Sequence, residues 1–219
     1  MIAIRRALGG RIVGPMDAGL TLAELMVTLV LMGVVGTLML SATVMVSRTV
    51  VNTQASGDSL DINRVGMNRM ARSIRAGIEI VRSGQANQPA IDSMAPNSLT
   101  MYSALGASPT KITYTIDANR NLTETTVAAG GTSPYWTFTG TPKTTIIAYK
   151  VPAGASALFT YLDSNGAVLA SQTATDDATT GLVKAIQINL QVDANPGKGV
   201  GPVTLTNTVV LPNLGVAKR

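Results

Sequence analysis

The chain has 219 residues, a formal net charge of +5, and neither histidine nor cysteine. The lack of histidine removes the commonest general base and metal ligand, and the lack of cysteine removes thiolate chemistry and any disulfide framework. There is room for one membrane segment and one globular core, and the positive charge is local: Arg48, Arg64, Arg69, Arg72, Arg75 and Arg82 face only Asp58, Asp61 and Glu79, whereas basic and acidic residues nearly balance beyond Arg82.

Residues 1–19 carry Arg5, Arg6 and Arg11 and no apolar run of their own. Leu25 to Ser47 is uncharged, mostly Leu, Val, Met, Ala and Gly. As a helix this run spans about 35 Å at roughly 1.5 Å per residue, enough to cross a hydrocarbon core of about 30 Å. A secretory signal has an apolar region of roughly 7–15 residues with its cleavage site behind it. Here the run is too long, and the plausible cut lies in front of it, so the helix stays with the mature chain. Arginines before the run against a lone Arg48 near its far end predict an N-inside orientation. Glu24 is the one acid at the head of this segment. A carboxylate at a bilayer centre costs roughly 2.5–3.5 kcal/mol. Near the end of the span the cost is lower, but among packed helices Glu24 needs a partner. Gly33 and Gly36 are spaced i, i+3, which is not a GxxxG seam, and fit the general tolerance of glycine in membrane helices.

Gly19-Leu20-Thr21-Leu22-Ala23-Glu24-Leu25 resembles the processing site of type IV pilins and pseudopilins, whose pattern is Gly, Phe, Thr, Leu, a free position, Glu and an apolar run. Leu20 stands where that family usually has Phe. The resemblance implies that a membrane-embedded prepilin peptidase cuts between Gly19 and Leu20 and that the new amine of Leu20 is methylated. It implies that Glu24 pairs with the free amine of a neighbouring subunit during assembly. Its further implications are other pilin or pseudopilin subunits as partners, contact with membrane lipid, and an inner-membrane assembly platform with a cytoplasmic ATPase. The location implied is the bacterial inner membrane, single-pass, followed by a cell-surface or periplasmic filament. In that family Gly33 and Gly36 would mark a place where the helix can stretch.

Between Arg48 and Arg82 the pattern becomes amphipathic. Met67, Met70, Ile74, Ile78 and Val81 recur at helical spacing, with the arginines mostly on other faces. The helix is expected to continue from the membrane segment, to fray or break near Gly57, to recap at Asp58-Ser59, and to end near Val81.

After Gly84 the period changes to two. Strands are expected at Ser98–Ser103, Lys111–Ile116, Asn121–Val127, Thr144–Val151, Ala157–Leu162, Ala167–Ser171, Leu182–Val192 and Val203–Leu211. Asp117-Ala118-Asn119-Arg120 and Asp163-Ser164-Asn165-Gly166 supply turns, and Gly130-Gly131 and Asn195-Pro196-Gly197 supply loops. The expected fold is α+β and pilin-like: a long N-terminal helix, its first half membrane-spanning, packed on an antiparallel β-sheet domain. The division is 1–19 leader, 20–47 transmembrane and polymerisation helix, 48–82 amphipathic continuation, and 83–219 sheet domain. The order Ile112-Thr113-Tyr114, Phe159-Thr160-Tyr161-Leu162-Asp163-Ser164-Asn165-Gly166, Ile186-Gln187-Ile188-Asn189-Leu190 and Val209-Val210-Leu211-Pro212-Asn213 is similar to W-type minor pilins and J-type minor pseudopilins.

Little here points to chemistry. No Ser–His or Cys–His pair can form, and no phosphate-cradling glycine motif follows a strand. Asp163-Ser164-Asn165-Gly166 lacks the downstream Glu of a calcium loop, and Asp176-Asp177 reads as a solvated acidic loop rather than a calcium site. Pro134-Tyr135-Trp136-Thr137-Phe138 gathers aromatic rings that are expected to pack against the helix, with a subunit or ligand contact as the other reading. The arginines between Arg64 and Arg82 are expected to form a solvated face, with nucleic-acid binding as the alternative. The functional expectation is a minor pilin-like subunit of a type IV pilus or type II secretion pseudopilus, without cofactor, metal or enzymatic activity. The alternative is a filament-borne binding protein, an adhesin or DNA receptor.

Overall fold

A computed structural model describes residues 21–193 and 202–212. The fold is α+β, a long apolar N-terminal helix followed by antiparallel sheets. The chain divides into two units, one up to Val50 and one from Val51. Gly19, Leu20, the leader, Asn195-Pro196-Gly197 and Asn213 lie outside the described residues.

The described part of the first unit is helix α1, which runs from Leu22 to Arg75 and so continues into the second unit. Within the first unit every described residue is exposed. The expected break near Gly57, with a recap at Asp58-Ser59, does not occur: α1 is continuous through these positions. One glycine costs a helix about 1 kcal/mol, too little to offset re-nucleation on both sides of a gap.

In the second unit α1 ends at Arg75, not near Val81. The last turn tightens, with Gly77 N–H donating to Ile74 C=O at 3.0 Å. Gly77 then forms a bridge with Ser103, and a Cβ there would lie 2.8 Å from Leu211 Cδ2 and 3.1 Å from Met101 Cε. The chain therefore turns into the sheet at a crowded position, where a side chain would also come within 3.0 Å of the Ile74 carbonyl oxygen and the neighbours would have to shift. Ile78 N–H donates to Tyr102 C=O at 3.0 Å, and Ile78 and Ile80 bury their side chains with Tyr102.

The strands are β1 (Ile91–Ala95), β2 (Ser98–Ser103), β3 (Thr110–Ile116), β4 (Leu122–Ala128), β5 (Gly130–Thr132), β6 (Tyr135–Thr137), β7 (Lys143–Ala148), β8 (Phe159–Leu162), β9 (Ala185–Val192) and β10 (Val203–Val210). Helix α2 (Asp177–Thr180) lies between β8 and β9. A five-stranded sheet has the order β1-β2-β3-β4-β7, a three-stranded sheet the order β10-β9-β8, and β5-β6 is a separate hairpin. The pairs between these strands are antiparallel. The expected strand Ala167–Ser171 is not one. Asp163 Oδ1 accepts from the amides of Asn165 and Ala167, and this tight turn leaves only a Leu162–Val168 bridge before the chain departs.

One core joins the second half of α1 to both larger sheets. Met67, Met70, Ala71 and Ile74 pack with Leu99, Met101, Ile112 and Tyr114 from one sheet and with Phe159, Ile186, Ile188 and Leu190 from the other. Each large side chain buried this way contributes roughly 1.5–3 kcal/mol. Phe159 sits between Tyr114 and Tyr161, with ring centroids 6.4 Å from each. Gly66 sets the closest approach: a Cβ there would lie 2.0 Å from the Ile147 carbonyl oxygen. Asn63 Oδ1 then accepts from the Tyr149 amide at 3.1 Å, which ties the end of β7 to the helix.

Candidate functional site

The head of α1 is organised by two side chains. Thr21 precedes the first helical residue, and its hydroxyl accepts from the Glu24 amide at 3.2 Å. Glu24 Oε2 reaches back to the Thr21 amide at 3.4 Å and the Thr21 hydroxyl at 3.3 Å. This reciprocal pattern is a capping box, which satisfies amides that a helix start would otherwise leave without acceptors. It also puts a negative charge in the first turn, where the aligned peptide dipoles favour it. Glu24 is thus an acceptor aimed at the chain's N-terminal side. The sequence marked this residue for its charge, and its local capping role follows from the Thr-x-x-Glu spacing.

Behind it lies an unpartnered apolar surface. All 30 residues from Leu22 to Val51 are exposed, Met32 at 76% and Leu22 at 74% among them. At roughly 1.5 Å per residue this stretch is about 45 Å long, and it is apolar enough to span a membrane. Most of the hydroxyls along it, Ser47 apart, are internally satisfied. Thr28, Thr37, Ser41, Thr43 and Thr49 donate to the carbonyls of Leu25, Val34, Thr37, Met39 and Met45 at 2.8–3.0 Å. A Cβ on Gly33 or Gly36 would meet nothing within 4 Å.

A second feature lies where α1 crosses the five-stranded sheet. Glu124 on β4 is buried, its side chain 3% exposed. Arg69 grips it with two N–H groups, Nη2 to Oε1 at 2.5 Å and Nε to Oε2 at 3.2 Å. The Tyr114 hydroxyl donates to Oε2 at 3.0 Å. Burial first, and the Glu124 carboxylate second, push the Tyr114 phenol far above its ordinary pKa, so it stays a neutral donor. A buried carboxylate without such partners would cost several kcal/mol. Sequence reading missed this network. The available signal was Glu124 two residues after Leu122, on the core-facing side of a strand, where an acid requires a cation.

The same crossing opens into a groove of about 520 Å³ lined by Arg69, Arg72, Leu105, Thr110, Ile112 and Glu124, among others. Arg72 is exposed, and its guanidinium makes no hydrogen bond or ion pair among the described residues. Three other cations have acidic partners: Arg64 lies 3.6 Å from Asp61 at the surface, Arg82 2.5 Å from Asp177, and Lys111 2.8 Å from Asp92.

The remaining sequence candidates resolve into local structure. Asp176 caps α2 by accepting from the Thr179 amide at 2.8 Å, and this bond holds its carboxyl below the usual range. Asp177 pairs with Arg82. Among the described residues no group of three or more acidic side chains is placed to hold a metal ion. The aromatic run supplies β6 of the β5-β6 hairpin. Contrary to expectation, Phe138 packs with Ile78, Ile80 and Tyr102, its ring 4.9 Å from that of Tyr102, and not with α1, and Tyr135 is 53% exposed. No family model matches the chain, and no curated protein matches it.

Proposed function

We propose that this protein is a minor pilin-like structural subunit, anchored by the first half of α1 and assembled through it into a type IV pilus or type II secretion pseudopilus. One observation carries the reading: a fully exposed apolar helix, headed by a lone carboxylate, joined to a self-contained sheet domain. An apolar helix without partners requires lipid or other helices around it. Processing after Gly19 would make Leu20 the first residue, one position before Thr21, and Glu24 already faces that end of the helix. On this reading Glu24 exchanges its capping bonds for the amine of a neighbouring subunit when lipid is replaced by protein. The sheet domain then decorates the filament or forms its tip, and the protein acts by assembly and not by catalysis.

The test is the mass of the N-terminal peptide of the membrane-associated chain, which should begin at a methylated Leu20. A chain beginning beyond Ser47, or one retaining Met1, sinks the proposal. Glu24→Ala should still enter the membrane but should leave no filaments in the sheared fraction. Normal filaments from that variant would remove the charge-pairing role.

A further inference from the structure

We propose that the groove where α1 crosses β3 and β4 binds an acidic side chain carried on an extended segment of another polypeptide. The inference does not depend on the membrane or filament reading. It rests on how the two arginines are prepared. Arg69 is held in place by two bonds to buried Glu124, so its orientation is fixed before any ligand arrives, and its Nη1 group has no partner among the described residues. Arg72 lies three residues along, on the neighbouring turn of the same helix face, its whole guanidinium without a partner among the described residues. Glu124 neutralises one of these two cations, so the groove keeps one net positive charge.

A planar guanidinium matches a carboxylate through two parallel N–H···O bonds, a geometry that lysine cannot reproduce. The volume of about 520 Å³ falls within the range of roughly 300–1,000 Å³ typical of ligand clefts. The other walls suit a peptide: Leu105 is 50% exposed and offers an apolar contact beside the charge, and Thr110 offers a hydroxyl. A nucleic acid would need several unneutralised cations along its backbone. Arg64, Arg82 and Lys111 are each committed to an acid of this chain.

The test uses the full chain in detergent micelles and an eight-residue fluorescent peptide with one Glu flanked by Leu and Thr. Controls are the same peptide with Gln for Glu, and a single-stranded oligonucleotide. The Glu peptide should bind, and both the Gln peptide and the Arg72→Gln protein should weaken binding by about tenfold or more, as expected for loss of a charge-assisted bidentate contact. Arg48→Gln, outside the groove, should leave affinity unchanged. Arg72→Gln removes no bond within the fold, so its melting temperature should match the parent. The proposal is overturned if the Glu peptide does not bind. Equal binding by Arg72→Gln, equal loss in Arg48→Gln, or an Arg72-dependent affinity for the oligonucleotide in place of the peptide would each overturn it too.

Discussion

The two stretches of α1 obey opposite rules within one continuous helix. Between Leu22 and Val51 the apolar residues surround the axis, and all of them are exposed. Between Asn63 and Arg75 most apolar residues fall on one stripe, Met67, Met70, Ala71 and Ile74, and that stripe is buried; Arg64, Val65, Arg72 and Arg75 lie on exposed faces, and Arg69 reaches from the edge to buried Glu124. Backbone geometry is the same in both. What differs is the angular distribution of side chains, and this decides the surroundings each stretch requires. The second stretch finds its solvent in the protein's own sheets, and the first must find it elsewhere.

Matched substitutions in the two stretches sharpen that contrast. The largest effect is expected for Met70→Ala, which empties a fully buried site in the core and should destabilise the domain by about 2–5 kcal/mol. Met39→Ala, on the exposed stretch, should leave the domain's thermal unfolding unchanged. Equal shifts from both would mean that the first stretch is also part of the folded core. Next comes charge. Leu31→Arg should oppose membrane insertion by roughly 2.5–3.5 kcal/mol, read as a fall in the membrane-associated fraction. Val65→Arg, at an exposed position beside other arginines, should leave that fraction as it was. A smaller difference is expected at two glycines. Gly66→Ala places a methyl against the Ile147 carbonyl and should destabilise the domain by about 1–3 kcal/mol through overpacking. Gly33→Ala meets nothing and should, if anything, raise helicity by about 1 kcal/mol. A Gly66→Ala protein as stable as the parent would show that α1 can shift on β7 without loss.

Much of this was legible in the sequence because the signals were periodic. The apolar run, the Met67-Met70-Ile74 stripe and the alternation in Ile186-Gln187-Ile188-Asn189-Leu190 each specify an element and its buried side. The failures have specific causes. Ile78 fits both a helical stripe and a period of two, and the pairing of Gly77 with Ser103 and of the Ile78 amide with Tyr102 decides for the extended chain. Strand β1 was missed because a register shift between Ile91 and Ser93 breaks its alternation. The groove was not visible because it depends on Glu124 and Arg69, 55 residues apart, meeting at a crossing that no local pattern encodes. The Thr21–Glu24 box at the head of α1 was implicit in a spacing that was read for its charge alone.

The hydroxyls of the exposed stretch have one more consequence. Thr28, Thr37, Ser41, Thr43 and Thr49 look like interruptions in a greasy sequence, yet each directs its proton onto a carbonyl of its own preceding turn. For the threonines, what remains outermost is largely a methyl group. The rod therefore presents a more uniform oily skin than its letters suggest. The strongest polar marks on the rod are then its two ends, Glu24 on one side and Arg48 on the other.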